Sequence, residues 1–280
     1  MEHITLLSAE KFLGFVVLGF VTGLYGTLIG AGGGFVLMPI LLLLFPKENP
    51  ALITSISLAV VFFNALAGSE SYALMKRIDY KSGLMFAAAT IPGAIIGALN
   101  TAAVSRPLFN GIFGTLLAIG GAFLAFRPDP KDCVRGNHRH YYESCRHLVE
   151  ANGVCHDYSF NAFVGIGLSF VVGYVSSFLG IGGGIIHVPA MTYFLHFPVH
   201  IATATSHFVL AIMALTGTLT HVVAGTFPQG SNITLSLAIG ALLGAPLGAH
   251  LSNRIQGRWI IRSLAFALCL VSIRIIMTAF

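Results

Sequence analysis

The chain has 280 residues, of which 56% are hydrophobic and only 9% charged, and its mean hydropathy is +0.85. About 25% of a soluble domain is charged, so this composition excludes one and indicates an integral membrane protein whose first partner is the lipid bilayer. The net charge of +5 does not signal nucleic acid, because most Lys and Arg lie in connections and at helix ends, where membrane orientation places them.

Apolar runs of about 20 residues recur without the alternation of barrel strands, so the spans are predicted to be helices and the fold all-α. They fall at 12–30, 34–45, 51–69, 82–101 and 107–126, then at 160–180, 184–197, 201–225, 231–251 and 258–279. Five precede and five follow a hydrophilic stretch, which divides the chain into a first transmembrane repeat (1–126), a Cys- and His-rich loop (127–158) and a second transmembrane repeat (159–280). The first run is read as structural rather than as a cleaved signal peptide, because its end belongs to a duplicated motif. Gly93 with Gly97, Gly111 with Gly114, and Gly244 with Gly248 are candidate helix-packing faces.

The duplicated motif is Gly30-Ala31-Gly32-Gly33-Gly34, repeated as Gly180-Ile181-Gly182-Gly183-Gly184, each followed five residues on by a proline, Pro39 or Pro189. Phe20, Val21, Gly23, Gly30, Gly32, Gly33, Gly34 and Pro39 are identical to their counterparts 150 positions later, which indicates an internal duplication. The runs after the clusters, 34–45 and 184–197, are too short to cross a bilayer and have re-entrant length. Eight crossing helices and two re-entrant ones are therefore predicted. If each short run returns to the side its partner came from, Lys76, Arg77, Lys81, Arg127, Lys131, Arg135, Arg139, Arg146, Arg254, Arg258 and Arg262 share one side. Lys11, Lys47, Arg106 and Arg274 take the other. That asymmetry places the central loop in the cytoplasm of a bacterial inner-membrane, multi-pass protein. An odd number of passages per half makes the halves inverted repeats, the architecture of secondary transporters. A homodimer is the assembly considered.

Consecutive glycines break a helix, and a break in lipid is tolerated only where it is buried in protein or lines a polar cavity. The segments starting near Phe35 and Ile185 would present free N–H groups and a positive dipole end, which suits a small anion. Gly30, Gly32, Gly33, Gly34, Gly180, Gly182, Gly183 and Gly184 are thus candidate substrate-binding residues, with the two clusters facing each other across one polar cavity. The next helix of each half begins with hydroxyls, Thr54, Ser55 and Ser57 in the first and Thr203, Thr205 and Ser206 in the second, which join the candidates as uncharged donors. Back-bonding to helix carbonyls is the commoner fate of such groups.

The paired Gly-x-Gly-Gly-Gly-x4-Pro motifs, the hydroxyl-rich helices after them, Pro92-Gly93 and Pro246-Leu247-Gly248 together resemble the TauE/SafE family of sulfite exporter-like permeases. The resemblance implies a permease that moves sulfite, a sulfonate or a related small anion without ATP; it transfers only the glycine clusters and their prolines. No Walker Gly-x4-Gly-Lys sequence, nucleophile elbow or His-Glu-x2-His is present, so neither ATP-driven pumping nor catalysis is expected.

Histidines concentrate in the second half. His187, just past a glycine cluster, and His207, directly after Thr205-Ser206, are candidates to face the site as proton carriers or anion partners. His207 and His221 share a helix face as a haem-binding pair would, but no second helix carries a matching pair, so haem is not expected. In the central loop Cys133, His138, His140, Cys145, His147, Cys155 and His156 form a candidate soft-metal site, although no Cys-x2-Cys spacing occurs. Apart from that metal ion no cofactor is expected. A short surface helix is expected over Tyr141 to Val149. A divalent-metal permease is the rival reading within the transporter class; outside it stand a haem-bearing membrane redox protein and a membrane sensor whose central loop reads metal.

Overall fold

The computed structural model of the protein describes residues 9–126, 143–227, 230–252, 254–255 and, singly, 262, 266 and 272. Cys133, His138, His140 and most of the last apolar run lie outside the described residues. The helices among them are α1 (Ala9–Ile29), α2 (Gly34–Leu44), α3 (Pro50–Leu74), α4 (Tyr80–Thr101), α5 (Arg106–Phe126), α6 (Ala162–Leu179), α7 (Gly184–Tyr193), α8 (Val199–Val223) and α9 (Ser231–Ser252). Six of these, α1, α3, α4, α6, α8 and α9, are long and apolar enough to cross a membrane. The chain is a multi-pass, mostly helical membrane protein.

The apolar runs become helices of nearly the predicted extent because local capping agrees with the hydropathy. Asn49 accepts from the Ala51 amide at 2.9 Å ahead of Pro50, and Asp79 accepts from the Ser82 amide at 3.1 Å. At the start of α6, Asn161 accepts from Phe163 at 3.0 Å.

Each short helix turns back along its long neighbour. The Phe15 and Phe45 rings stack at 6.3 Å between centroids, so the end of α2 lies beside the start of α1. Phe197, just past α7, is 5.0 Å from Phe160, just before α6, so the second pair turns back in the same way. Glycine makes the other close approaches. Gly240, Gly244 and Gly248 place α9 backbone to backbone on Val16, Phe20 and Leu24 of α1. Gly93 and Gly97 of α4 sit likewise on Phe170, Tyr174 and Phe178 of α6. Both pairs step four residues at a time in the same direction, so they are parallel contacts of the small-residue type. Gly111 meets nothing within 4 Å among the described residues. The central pair, α3 and α8, is antiparallel, with Gly217 on Leu58 and Gly68 on His207. These two helices are the most enclosed of the six, 78% and 67% buried over their apolar windows against 39% for α1. Val17 and Val21 of α1, Ile95 and Leu99 of α4, and Leu243 and Leu247 of α9 face outward, as lipid-facing residues do.

The fold departs from all-α in the central segment. Where a surface helix was expected, Glu143–Val149 forms β1, paired antiparallel with β2 (Cys155–Asn161). The reason is legible afterwards. Inward Arg146 and Leu148 alternate with outward Cys145, His147 and Val149, a period of two. Asn152-Gly153 supplies the turn, with Gly153 at φ 86° and Asn152 accepting from the Val154 amide at 3.0 Å.

Candidate functional site

The two glycine clusters end α1 and α6 and start α2 and α7. Gly30, Gly32 and Gly33 have φ of 80°, 74° and 76°, and Gly180 and Gly182 have 67° and 68°. These left-handed values are strained for any residue with a Cβ, which is why the chain turns here and not one residue earlier. Neither short helix has a side-chain cap. Consequently the amides of Gly33, Gly34 and Phe35 at the first break, and of Gly182, Gly183 and Ile185 at the second, make no hydrogen bond among the described residues. All six are buried. Unpaired buried donors are rare in folded proteins, and their concentration at two helix starts marks the junction as a place for an acceptor.

The clusters meet directly. Gly34 lies against the Ile181 carbonyl, where an added Cβ would come within 2.6 Å of the oxygen, and Gly184 lies against Gly30 and Ala31. Each cluster also rests on the helix of the other half. Gly30 faces Thr203 of α8, with 2.9 Å from the position of a Cβ to the Thr203 Cα, and Gly180 faces Thr54 of α3 at 3.0 Å. Gly32 and Gly182 both face Val61 and Leu210. These contacts are reciprocal, with Thr54 matching Thr203 and Val61 matching Leu210. In place of the open polar cavity expected, the junction is closed, packed with the side chains of Val61 and Leu210.

Of the hydroxyls named from sequence, Thr54, Thr203 and Ser206 are buried with no hydrogen-bond partner, and the first two pack on the breaks. Ser55 is satisfied by the Leu52 carbonyl at 2.7 Å, within its own helix. Ser57 donates to the Gly180 carbonyl at 2.6 Å and so pins the second break. Thr205 accepts from the Asp79 amide at 3.0 Å and serves the α3–α4 turn instead. His207 is fully buried beside the first break, its Nε2 3.3 Å from Thr27 Oγ1. His187 lies farther along α7, 3.2 Å from Ser169 Oγ and edge-on to Phe86.

Sequence reasoning passed over Thr27, Asn64 and Tyr72. Thr27 donates to Asn64 Oδ1 at 3.2 Å, and Tyr72 donates to the Thr27 carbonyl at 2.7 Å. An amide in the middle of the run Val60-Val61-Phe62-Phe63-Asn64-Ala65 was the available signal, since such a group in lipid needs a partner. Val61 and Leu210 carried no signal at all: in sequence they are two apolar residues among many.

The hairpin of β1 and β2 is a separate polar region, clamped to the α3–α4 turn. Arg77 Nε is 2.8 Å from Glu150 Oε2, with both side chains almost fully buried. Glu150 also meets His156 Nε2 at 2.8 Å. Burial alone would raise the Glu150 carboxyl, but hydrogen bonds from Arg77 and His156 outweigh it and hold the group below its ordinary value. Asp79 accepts from Tyr158 OH at 2.9 Å and from Ser82, and lies 3.4 Å from Arg146 Nε. Burial, with the Asp79 carboxylate beside it, pushes the Tyr158 phenol above its ordinary range, so it remains a donor. Of the proposed metal ligands, Cys145, His147 and Cys155 share the exposed face of the hairpin while His156 lies on the other. His147 is paired with Asp157 at 2.6 Å, and among the described residues no three His, Cys, Asp or Glu are arranged to hold a metal ion.

Residues 15–275 match the family described as Sulfite exporter TauE/SafE. The probable membrane transporter protein YunE of Bacillus subtilis is 32% identical over 272 residues, covering 95% of this chain and 97% of its own. A probable membrane transporter protein of Methanocaldococcus jannaschii, MJ0441, is 23% identical over 86% of each chain. One from Xylella fastidiosa is 24% identical, over 92% of this chain and 90% of its own. No solved structure matches. The glycine-paired chain thus belongs to the TauE/SafE family of membrane transporters.

Proposed function

We propose that this protein is a secondary permease that carries a small anion, with sulfite, a sulfonate or a related organosulfur compound as the substrate class, by alternating access at the junction of the two glycine breaks. The observation that carries the reading is the set of six unpaired amides at two apposed helix starts, flanked by the unpaired hydroxyls of Thr54 and Thr203. Donors without a fixed countercharge suit an anion that must leave again, and among the described residues no buried carboxylate lies at the junction to repel it. The family's name points to the same substrate class.

The halves are two inverted repeats of four crossing helices and one re-entrant helix each. Support comes from the reciprocal contacts, from the return of α2 along α1 and of α7 along α6, and from the parallel pairing of α1 with α9 and α4 with α6. If α2 and α7 are re-entrant, the first helix of each half runs parallel to the fourth helix of the other, as α1 with α9 and α6 with α4 do. The closed junction is an occluded state, in which Val61 and Leu210 part to one side or the other to admit the substrate. The hairpin, with Lys76, Arg77 and Lys81 beneath it, lies on the cytoplasmic side of a bacterial inner membrane.

Purified protein in liposomes tests this. It is expected to exchange labelled sulfite, thiosulfate or ethanesulfonate far faster than empty liposomes and to leave divalent metals outside. Metal flux without anion flux would overturn the reading in favour of a metal-ion permease.

A further inference from the structure

The reciprocal contacts pair α3 with α8 position by position. On α3, Thr54, Leu58 and Val61 form a stripe at helical spacing that meets Gly180, Gly217 and Gly182; on α8, Thr203, His207 and Leu210 meet Gly30, Gly68 and Gly32. The stripes match in kind, threonine with threonine and aliphatic Val61 with aliphatic Leu210, except that one has Leu58 where the other has His207. Packing against a glycine therefore does not require a histidine at this place, since leucine fills the counterpart. The surroundings differ in the same sense. Around His207 lie Thr27, Asn64 and Tyr72; the counterparts 150 or 149 positions on are Ser177, Met213 and His221.

The hydrogen bonds fix how His207 is used. With the Thr27 hydroxyl directed at Asn64 Oδ1, the tautomer that fits the 3.3 Å contact carries its proton on Nε2 and donates to Thr27 Oγ1. In that tautomer Nδ1 carries no proton; it is buried without a hydrogen bond of good geometry, with the main chain of Gly30 and Asn64 close to the ring, and the Asn64 Nδ2 group is a buried donor without a partner. A proton acceptor and unpaired hydrogen-bond donors stand one turn from the first glycine break.

An anion entering this junction meets amides and hydroxyls but no fixed positive charge. Among the described residues, the buried charged side chains are Arg77, Asp79 and Glu150, and all three serve the hairpin. Among the described residues, Lys11 of α1 and Lys81 of α4 are exposed, and the buried ionisable groups on the elements around His207 supply no cation either. Tyr72 of α3 is edge-on at 5.8 Å with its hydroxyl committed to Thr27, Tyr25 of α1 packs on Phe35, and Tyr174 of α6 stacks on Phe178. Asp79, at the start of α4, is engaged by Tyr158 and Arg146; His187 of α7 bonds Ser169; His221, fourteen residues along α8, is buried against Thr226; His250 of α9 is exposed. A lone anion in such a medium is strongly disfavoured unless a proton or cation comes with it.

We propose that His207 takes up one proton when the anion binds, so that anion and proton are carried together and His207 is the coupling residue of the transporter. This rests on the anion-transport reading above. The proton adds to Nδ1, the imidazolium supplies the missing countercharge, and the Thr27 and Asn64 groups hold the ring in place. His207 sits in only one of the two stripes, so one proton accompanies each anion.

The test uses the full chain in liposomes with labelled ethanesulfonate and thiosulfate as probes and a pH-reporting dye inside. An inward proton gradient is expected to accelerate wild-type uptake at least tenfold, with the lumen acidifying in step with the anion. His207→Leu, which copies the counterpart stripe, is expected to remain folded with an unchanged or raised melting temperature and to lose the gradient response. His207→Gln is expected to lose it as well, whereas His250→Gln keeps it. In detergent, calorimetry in two buffers of different ionisation enthalpy should count about one proton taken up per ethanesulfonate bound. The apparent Kd should rise about tenfold per pH unit once the unliganded transporter has lost the proton. Proton-driven uptake that survives in either His207 variant, or anion binding by the wild type without proton uptake, overturns this inference and leaves the anion reading standing. A wild type that neither binds nor moves any probe overturns both.

Discussion

Replacing Gly30 by alanine should damage the protein far more than its size suggests. Gly30 has φ 80°, a conformation that costs a residue with a Cβ about 1–2 kcal/mol. The new methyl would stand 2.6 Å from Thr203 Cγ2 and 2.9 Å from Thr203 Cα, so α8 backbone must shift as well as a side chain. Overpacking of that kind costs about 1–3 kcal/mol, which brings the total to roughly 2–5 kcal/mol. At about 2–4 °C per kcal/mol for a chain of this size, the melting temperature in detergent should fall on the order of 5–15 °C. Gly167 of α6, exposed and with nothing within 4 Å, is the control: Gly167→Ala should gain about 0.5–1 kcal/mol from helix propensity. Melting followed by size-exclusion fluorescence, with anion exchange in liposomes beside it, reads both effects. If Gly30→Ala melts and exchanges like wild type, or if Gly167→Ala loses as much as Gly30→Ala, the close apposition of the two halves at this glycine is wrong.

Glu150→Gln should leave Arg77 buried without its charged partner and cost about 3 kcal/mol, read as earlier proteolysis of the hairpin than of the helices. Because the Glu150 carboxyl is held below its ordinary 4.5, its contribution is present in full above that pH and is lost as pH falls through the depressed value. Hairpin protection should therefore decline only as the pH falls below the ordinary carboxylate value of 4.5 in the wild type, and Glu150→Gln should flatten that limb. Gly97→Val should wedge α4 off Tyr174 and Phe178 and lower the melting temperature, at a cost of about 1–3 kcal/mol. Cys145 lies opposite Ser159 and Cys155 opposite Val149, so the two thiols are about 13 Å apart along the ladder. Both should react with an impermeant maleimide from one side of the membrane, and an oxidant should not link them to each other.

The sequence carried the helices and the glycine breaks because both are local. Hydropathy and a run of residues able to adopt positive φ require no knowledge of neighbours, and the duplication made Gly30 and Gly180 stand out. The hairpin was missed because its signal, Asn152-Gly153 between alternating stretches, sits in a segment whose Cys and His drew attention to metal chemistry. Thr205 was grouped with Thr203 by spacing alone, yet the two point to different neighbours, Asp79 and Gly30. The role of Val61 and Leu210 in closing the junction is a property of the packed pair of halves, and no pattern within either half encodes it. His207 was visible as a buried histidine, but its contrast with Leu58 appears only once α3 and α8 are laid against the two breaks.

The central claim is that the junction of the glycine breaks opens alternately to the two sides of the membrane around a bound anion. Single cysteines at Val61 and Leu210, in a chain whose own four cysteines are replaced, test it through their reactivity with an impermeant thiol reagent applied from either side of sealed vesicles. Each is expected to react from both sides while the protein exchanges, and to be protected by ethanesulfonate or thiosulfate. Cysteines unreactive from both sides in a protein that transports, or reactive without any protection by the anion it carries, would contradict the account.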